Sequence, residues 1–258
     1  MFPTLIRIGE FRLATYGVLV AAGYFAAILW LSRRRERMGL SEKDFWGVVY
    51  AVFFGAILGG KLLYWLVEWQ AIADGTLRPL RDFRYGFVFF GGFLGSFLAG
   101  WGYRRRHPFD FWRVADHFAA ALPVGHAIGR LGCFMAGCCA GKPTSLPWGV
   151  RFNHPESLVD PGLAGMALHP TQLYEAAADA LIAVFLMAML RARPKGSASG
   201  KVLAAYAGLY GGARFGIEFL RGDDRGGSLL GLSVSQWIGL GCAAAGAVFW
   251  LRGRKGDS

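Results

Sequence analysis

The chain has 258 residues, of which 54% are hydrophobic and 17% charged, and its 38 glycines make up about 15% of it against a usual ~7%. Charged residues normally supply roughly a quarter of a soluble domain; here they fall in short clusters between long apolar runs, which excludes an ordinary soluble fold and equally a disordered or fibrous chain. The net charge of +11 does not imply nucleic-acid binding, because runs such as Arg33, Arg34, Arg35, Arg37 and Arg104, Arg105, Arg106 directly follow apolar stretches, the pattern of cytoplasmic loops facing anionic lipid.

A helix crosses the hydrocarbon core with about 20 mostly apolar residues. In chain order, seven segments approach that requirement: Leu13–Leu31, Gly47–Trp69, Gly86–Tyr103, Ala115–Phe134, Gln172–Leu190, Val202–Leu220 and Ser233–Leu251. The first has no basic leader and no small-residue cleavage site, so it is expected to be a retained span. Because the fourth carries Asp116, His117, Pro123, His126 and Arg130, it must face the protein interior or be partly broken. With the N-terminus outside, sixteen Lys and Arg lie on the inner side, nine on the outer side and three (Lys61, Arg130 and Arg214) within spans. Positive charge accumulates on the cytoplasmic side, so the expected architecture is all-α: a single transmembrane domain over residues 1–258, about seven helices, N-terminus outside and C-terminus inside. The one long connection, residues 133–171, is expected on the outer side as a loop or re-entrant segment, and connections of that length are more often functional than incidental.

Ionisable groups inside spans cost several kcal/mol unless paired or hydrated, so each is a candidate functional group. They are Lys61, Glu68, Asp116, His117, His126, Arg130, Glu175, Asp179, Arg214 and Glu218, and on this topology nearly all converge on the outer half of the membrane. Tyr210, Arg214 and Glu218 are spaced by four and share a helical face, with Arg221 a turn further on. That stripe can be an internal ion pair. With Arg130 supplying a second fixed charge from another span, it can equally be a phosphate site, since planar guanidiniums suit that anion. Gly59, Gly60, Gly91, Gly92 and Gly95 are read as close-packing positions. They lack the strand-then-helix context of a nucleotide loop. His117 and His126 are expected to pack or hydrogen-bond, and His169 to be either a proton acceptor or an interfacial hydrogen-bonding group. For Cys133, Cys138 and Cys139 a disulfide or simple packing is the leading expectation. A catalytic thiol is the alternative, and a zinc site would need ligands from elsewhere.

Three motifs carry a likeness to a known family: GRLGCFMAG at Gly129–Gly137, HPTQLYE at His169–Glu175 and YGGARFGIEFLR at Tyr210–Arg221. With them the chain resembles the prolipoprotein diacylglyceryl transferases, and the likeness extends to Tyr16–Gly17, Gly59–Lys61 and Phe90–Gly92. The resemblance implies a multi-pass enzyme of the bacterial inner membrane that moves the diacylglyceryl group of phosphatidylglycerol onto the lipobox cysteine of a preprolipoprotein signal peptide, releasing glycerol phosphate. Expected partners are thus that lipid, that peptide and the membrane, with no nucleic acid, metal or cofactor. The resemblance places the family's important residues on Tyr16, Arg130, Tyr210, Arg214, Glu218 and Gly141; the candidate catalytic residues are therefore Arg130, Arg214, Glu218, Tyr210 and His169, and the candidate substrate-binding residues Tyr16, Lys61, Gly91, Gly92, Gly141, Tyr174, Glu175 and Arg221. Three positions depart from well-known members: Phe90 stands where they have His, Cys133 where they have Asn, and Cys138 where they have Glu. The usual base is therefore missing. A competing reading is a non-catalytic membrane protein that binds or transports anionic phospholipid in the same basic groove.

Overall fold

A computed structural model describes residues 1–9, 11–83, 86–194, 199–222 and 228–253. Arg84, Lys195, Arg225, Arg254 and Lys255, which enter the charge count above, lie outside the described residues. The chain forms two compact units, one of Met1–Arg33 with Trp112–Ser258 and the other of Arg34–Phe111.

The first unit opens with an antiparallel hairpin, β1 (Thr4–Ile8) and β2 (Phe11–Ala14), that feeds directly into helix α1 (Thr15–Ser32). A short helix α2 (Arg35–Met38) begins the second unit and ends at Gly39, whose φ of 73° suits a residue without Cβ. Helix α3 (Glu42–Val67) starts at Ser41, whose hydroxyl accepts the Asp44 amide at 3.1 Å. Glu68 was expected inside this span, but it follows the last turn of α3, with non-helical backbone angles that separate α3 from α4 (Trp69–Ala73). Helix α5 (Phe89–Arg106) pairs with α3 through two small-residue stripes, Gly55 and Gly59 against Gly91 and Gly95. A Cβ built on any of these four would strike backbone atoms of the facing helix, so these glycines are required by close approach.

Helix α6 (Phe111–Ala136) runs through Pro123 unbroken and buries Asp116, His117 and a row of alanines, so the interior-facing alternative is the one realised. It then meets Gly137 at φ 80°, which ends it. Cys133, where the expected span and the expected connection overlap, sits in the last turn of this helix, which runs on to Ala136. Short strands β3 (Val150–Arg151) and β4 (Ala167–Leu168) pair within the loop, followed by α7 (Thr171–Arg191), α8 (Lys201–Glu218), the pair β5 (Ser228–Leu229) and β6 (Leu232–Ser233), and α9 (Val234–Gly253). Among the described residues, these three short strand pairs and two isolated bridges, Gly141 with Arg221 and Pro143 with Leu168, are the β structure between the helices.

Among the described residues, seven helices have 18 or more residues and match the expected segments. Five of them (α1, α3, α6, α7 and α9) are long and apolar enough to cross a membrane. Helices α5 and α8 have the length but carry three charges each, Arg104, Arg105 and Arg106 in one and Lys201, Arg214 and Glu218 in the other. Asp116 shows what a buried charge does for architecture. From α6 its carboxylate accepts the Val202 and Leu203 amides at 3.0 Å each and pairs with Arg193 at 3.0 Å, so it caps the N-terminus of α8 from another helix. Beside it Ala120, Ile182, Leu186 and Val202 form the core that locks α6, α7 and α8 together.

Candidate functional site

The site grows from a three-stranded backbone arrangement. The amide of Gly141 donates to His169 O at 2.9 Å and His169 N to Lys142 O at 3.0 Å. On the other side Lys142 N donates to Leu220 O at 2.8 Å and Gly222 N to Ala140 O at 3.2 Å. Residues 140–142 are thus held between the stretch entering α7 and the stretch leaving α8, with Gly141 bridged to Arg221. Only glycine fits at 141. An added Cβ would lie 2.6 Å from His169 Cβ and 2.6 Å from the Leu220 carbonyl oxygen.

This pairing fixes Arg221 beside Glu175, whose carboxylate is the hub of a buried network. Glu175 Oε2 lies 2.5 Å from Arg130 Nη2, and its Oε1 lies 2.9 Å from Arg221 Nη1 and 3.8 Å from Arg214 Nη1. Glu218 completes it, 2.5 Å from Arg214 and 3.9 Å from Arg221, and is itself fixed by the Ser233 hydroxyl, which donates to it at 2.8 Å. Arg130 comes from α6, Glu175 from α7, and Arg214 and Glu218 from α8, so three helices must assemble before the network exists. Three guanidiniums against two carboxylates leave one positive charge. Arg130 Nε and Arg214 Nη2 are buried without a hydrogen-bond partner, which costs about 1–3 kcal/mol each unless another acceptor is supplied. A ligand carrying several oxygens and a negative charge is what this surplus would hold.

Next to the arginines a narrow cavity is lined by Glu175, Asp179, Tyr210 and Arg214. Tyr210 stacks on Tyr206 with ring centroids 5.6 Å apart and lies 5.4 Å from the His126 ring. His126 Nδ1 in turn faces Asp179 at 3.3 Å. His169 Nδ1 is 3.3 Å from the Tyr174 hydroxyl, which also accepts from Trp148 Nε1 at 2.8 Å. Tyr16, at the start of α1, packs over Gly132, one residue before Cys133.

A family model described as prolipoprotein diacylglyceryl transferase matches residues 3–252. The chain belongs to that family. It is 37% identical over 240 residues to the phosphatidylglycerol-prolipoprotein diacylglyceryl transferase of Clostridium tetani, covering 93% of each protein. To the enzyme named transferase 2 in Clostridium perfringens it is 32% identical, over 95% of this chain and 94% of that one. The Cupriavidus pinatubonensis relative is 34% identical over 99% and 93%.

Of the residues the transferase family resemblance selects, the structure brings Arg130, Arg214, Arg221, Glu175 and Glu218 into one network, with Tyr210 lining the adjoining cavity and Gly141, His169 and Tyr174 in the loop that holds it. Lys61, Gly91 and Gly92 belong to the other unit. There the Lys61 ammonium donates to Gly86 O at 2.7 Å and lies 4.9 Å from the Phe83 ring centroid, while a Cβ on Gly92 would meet the Phe87 ring. Sequence reasoning missed Ser233, Thr171 and Gln172. The last two donate to Cys139 O at 2.8 Å and Cys138 O at 2.7 Å, so the HPTQ motif pins the cysteine loop; the signal was in the motif, whose polar pair has no place in an apolar span. His117 bonds locally to Arg113 O at 2.8 Å, as expected. The cysteines are thiols, where a disulfide had been one expectation. Hydrogen bonds from Cys133 and Cys138, and then from the Arg221 guanidinium, hold the Cys139 thiol well below its usual range.

Proposed function

We propose that the chain transfers the diacylglyceryl group of phosphatidylglycerol to the lipobox cysteine thiol of a preprolipoprotein signal peptide, with glycerol phosphate as the leaving group. The observation that carries this reading is the excess of buried guanidinium donors on Arg130 and Arg214. Phosphate oxygens satisfy them, and the charge that develops on the leaving oxygen is stabilised where it forms. The peptide sulfur attacks the glycerol carbon, a C–S bond forms, the C–O bond to phosphate breaks, and the leaving group takes the electron pair. Glu218, braced by Ser233, fixes Arg214. Glu175 aims Arg130 and Arg221, while Tyr16 and Tyr210 orient the glycerol hydroxyls. Gly141 and Tyr174 complete the lipid-binding set of this unit, and His169 accepts the thiol proton; Lys61, Gly91 and Gly92 of the other unit keep, by themselves, the substrate-binding role the resemblance suggests. Thiols of ordinary pKa near 8.5 are already partly ionised at neutral pH, so a chain with Phe90 in place of the family's histidine retains a route to the thiolate. The acyl chains lie between helices in the outer half of a bacterial inner membrane crossed seven times, N-terminus outside.

The test is made on the full chain in phosphatidylglycerol vesicles with a lipobox peptide. Glycerol phosphate release matched one for one by a diacylglyceryl mass gain on the cysteine peptide, and none on the Cys→Ser peptide, is the expected result. Intact phosphatidylglycerol retained on the protein, with no release when the peptide is added, refutes transfer and supports the binding or transport reading.

A further inference from the structure

The three cysteines at family-divergent or neighbouring positions converge. Cys133, Cys138 and Cys139 place their sulfur atoms all within 4.8 Å of one another. They come from two kinds of structure, the last turn of α6 and the loop beyond Gly137, so proximity in sequence does not by itself produce the cluster. Cys139 has φ 63°, one of two non-glycine residues with positive φ among those described. In extended backbone, adjacent side chains point to opposite faces; this left-handed residue brings both neighbouring sulfurs to one side. Such strain persists where the surroundings over-determine it, and here Thr171 and Gln172, both 0% exposed, clamp the two cysteine carbonyls.

A disulfide fits this arrangement poorly. Adjacent Cα atoms are about 3.8 Å apart, short of the roughly 4.4–6.8 Å that disulfides span, so Cys138 and Cys139 are not a natural pair. Joining either one to Cys133 engages only two of the three clustered sulfurs. A metal uses all three. With a metal-sulfur bond of about 2.3 Å, tetrahedral ligands sit about 3.8 Å apart, a contraction of at most about an ångström from the distances here.

We infer that Cys133, Cys138 and Cys139 hold a zinc ion whose fourth position is left for the thiol of the acceptor peptide. Three protein ligands and one open position are the pattern of catalytic zinc, whereas structural zinc is closed by four. Cys133 lies three residues after Arg130 on the same helix, so the metal sits beside the guanidinium assigned to the lipid phosphate. On coordination the peptide thiol loses its proton to solvent or His169, and the zinc-held sulfur then attacks the glycerol carbon as the C–O bond breaks. The thioether product, a far weaker ligand than a thiolate, leaves the metal. The inference rests on the transferase reading for its chemistry, but not for the existence of the metal site.

Cobalt(II) alone is the probe, titrated into the full chain in detergent under reducing conditions. The expected result is one equivalent bound with an intense sulfur-to-metal charge-transfer band, displaced by one equivalent of zinc. The band shifts on adding a lipobox cysteine peptide and stays unchanged with the serine peptide. Cys138→Ser weakens binding at least tenfold, and Gln172→Ala, which loosens the clamp, weakens it by about 10–100-fold as outer-shell changes do. Absence of a thiolate band in the wild-type chain overturns the site, as does a disulfide between two of the three sulfurs in protein isolated without reductant. Full transfer activity in the chain with all three cysteines changed to serine overturns the proposal while the transferase reading stands. Conversely, thiol-dependent metal binding without any transfer supports the site and refutes that reading.

Discussion

Glu175→Gln removes the charge on which the arginine network turns and keeps the side chain's size. In the native chain Glu175 is 4% exposed and touches all three guanidiniums. The variant removes the carboxylate with which all three guanidiniums pair, and breaking a buried pair by removing one partner costs about 3–5 kcal/mol. For a chain of this size each kcal/mol moves the unfolding midpoint by about 2–4 °C, so the expected drop is roughly 6–20 °C. The extra positive charge also changes catalysis in a particular way. Anionic lipid is held at least as well, so KM does not rise, while the loss of aim on Arg130 and Arg221 lowers kcat by about 100-fold, the effect of misplacing a positioning group by about an ångström. Glu175→Asp keeps the charge but retracts it, and recovers part of the stability and little of the rate. Thermal unfolding in detergent and steady-state kinetics with phosphatidylglycerol vesicles read both effects. An unfolding midpoint within 1–2 °C of wild type together with native turnover would refute the hub role.

Asp116→Asn loses the charged cap on α8 and the Arg193 pair, and should destabilise by about 2–4 kcal/mol in a chemical unfolding titration while leaving KM unchanged, because it lies apart from the arginine network. In Gly141→Ala the new methyl strikes the Leu220 carbonyl, so the strand holding Arg221 shifts; about 1–3 kcal/mol of stability and more than tenfold in kcat should be lost, whereas a native rate would show the close fit to be unimportant. Glu156 is held below the usual carboxylate range by the Thr4 hydroxyl and then by Arg12 and Arg7. Its contribution is therefore present above the unfolded-chain value near 4.5 and disappears as pH falls through the lower folded value. Hydrogen exchange in β1 and β2 should accelerate below that point in the wild type and be pH-independent over the same window, beyond the intrinsic chemistry, in Glu156→Gln.

The helices were legible because the membrane demands long apolar runs, and α1, α3, α6, α7 and α9 answer that demand in composition as well as length. The Tyr210, Arg214, Glu218 stripe was equally legible, since a period of four on one helix is written locally. What the sequence could not show were partners from separate helices. Glu175 could be seen as an ionisable group in a span, but its three arginines lie 45, 39 and 46 residues away, joined only by packing. Lys61 is legible as an ionisable group in a span, but its partners Gly86 and Phe83 are distant in sequence and meet it only through packing. The sulfur cluster was hidden for a similar reason. Its formation depends on the left-handed turns at Gly137 and Cys139 and on the Thr171 and Gln172 clamps, none of which changes the apparent spacing of the cysteines.

The phosphate grip is tested most directly by replacing the planar fork while keeping its charge. Arg214→Lys and Arg130→Lys should each fold, retain binding of phosphatidylglycerol vesicles, and cut diacylglyceryl transfer to the lipobox peptide by about 100-fold or more, the scale of removing one transition-state donor. Transfer at the wild-type rate in either lysine variant would contradict guanidinium stabilisation of the departing phosphate.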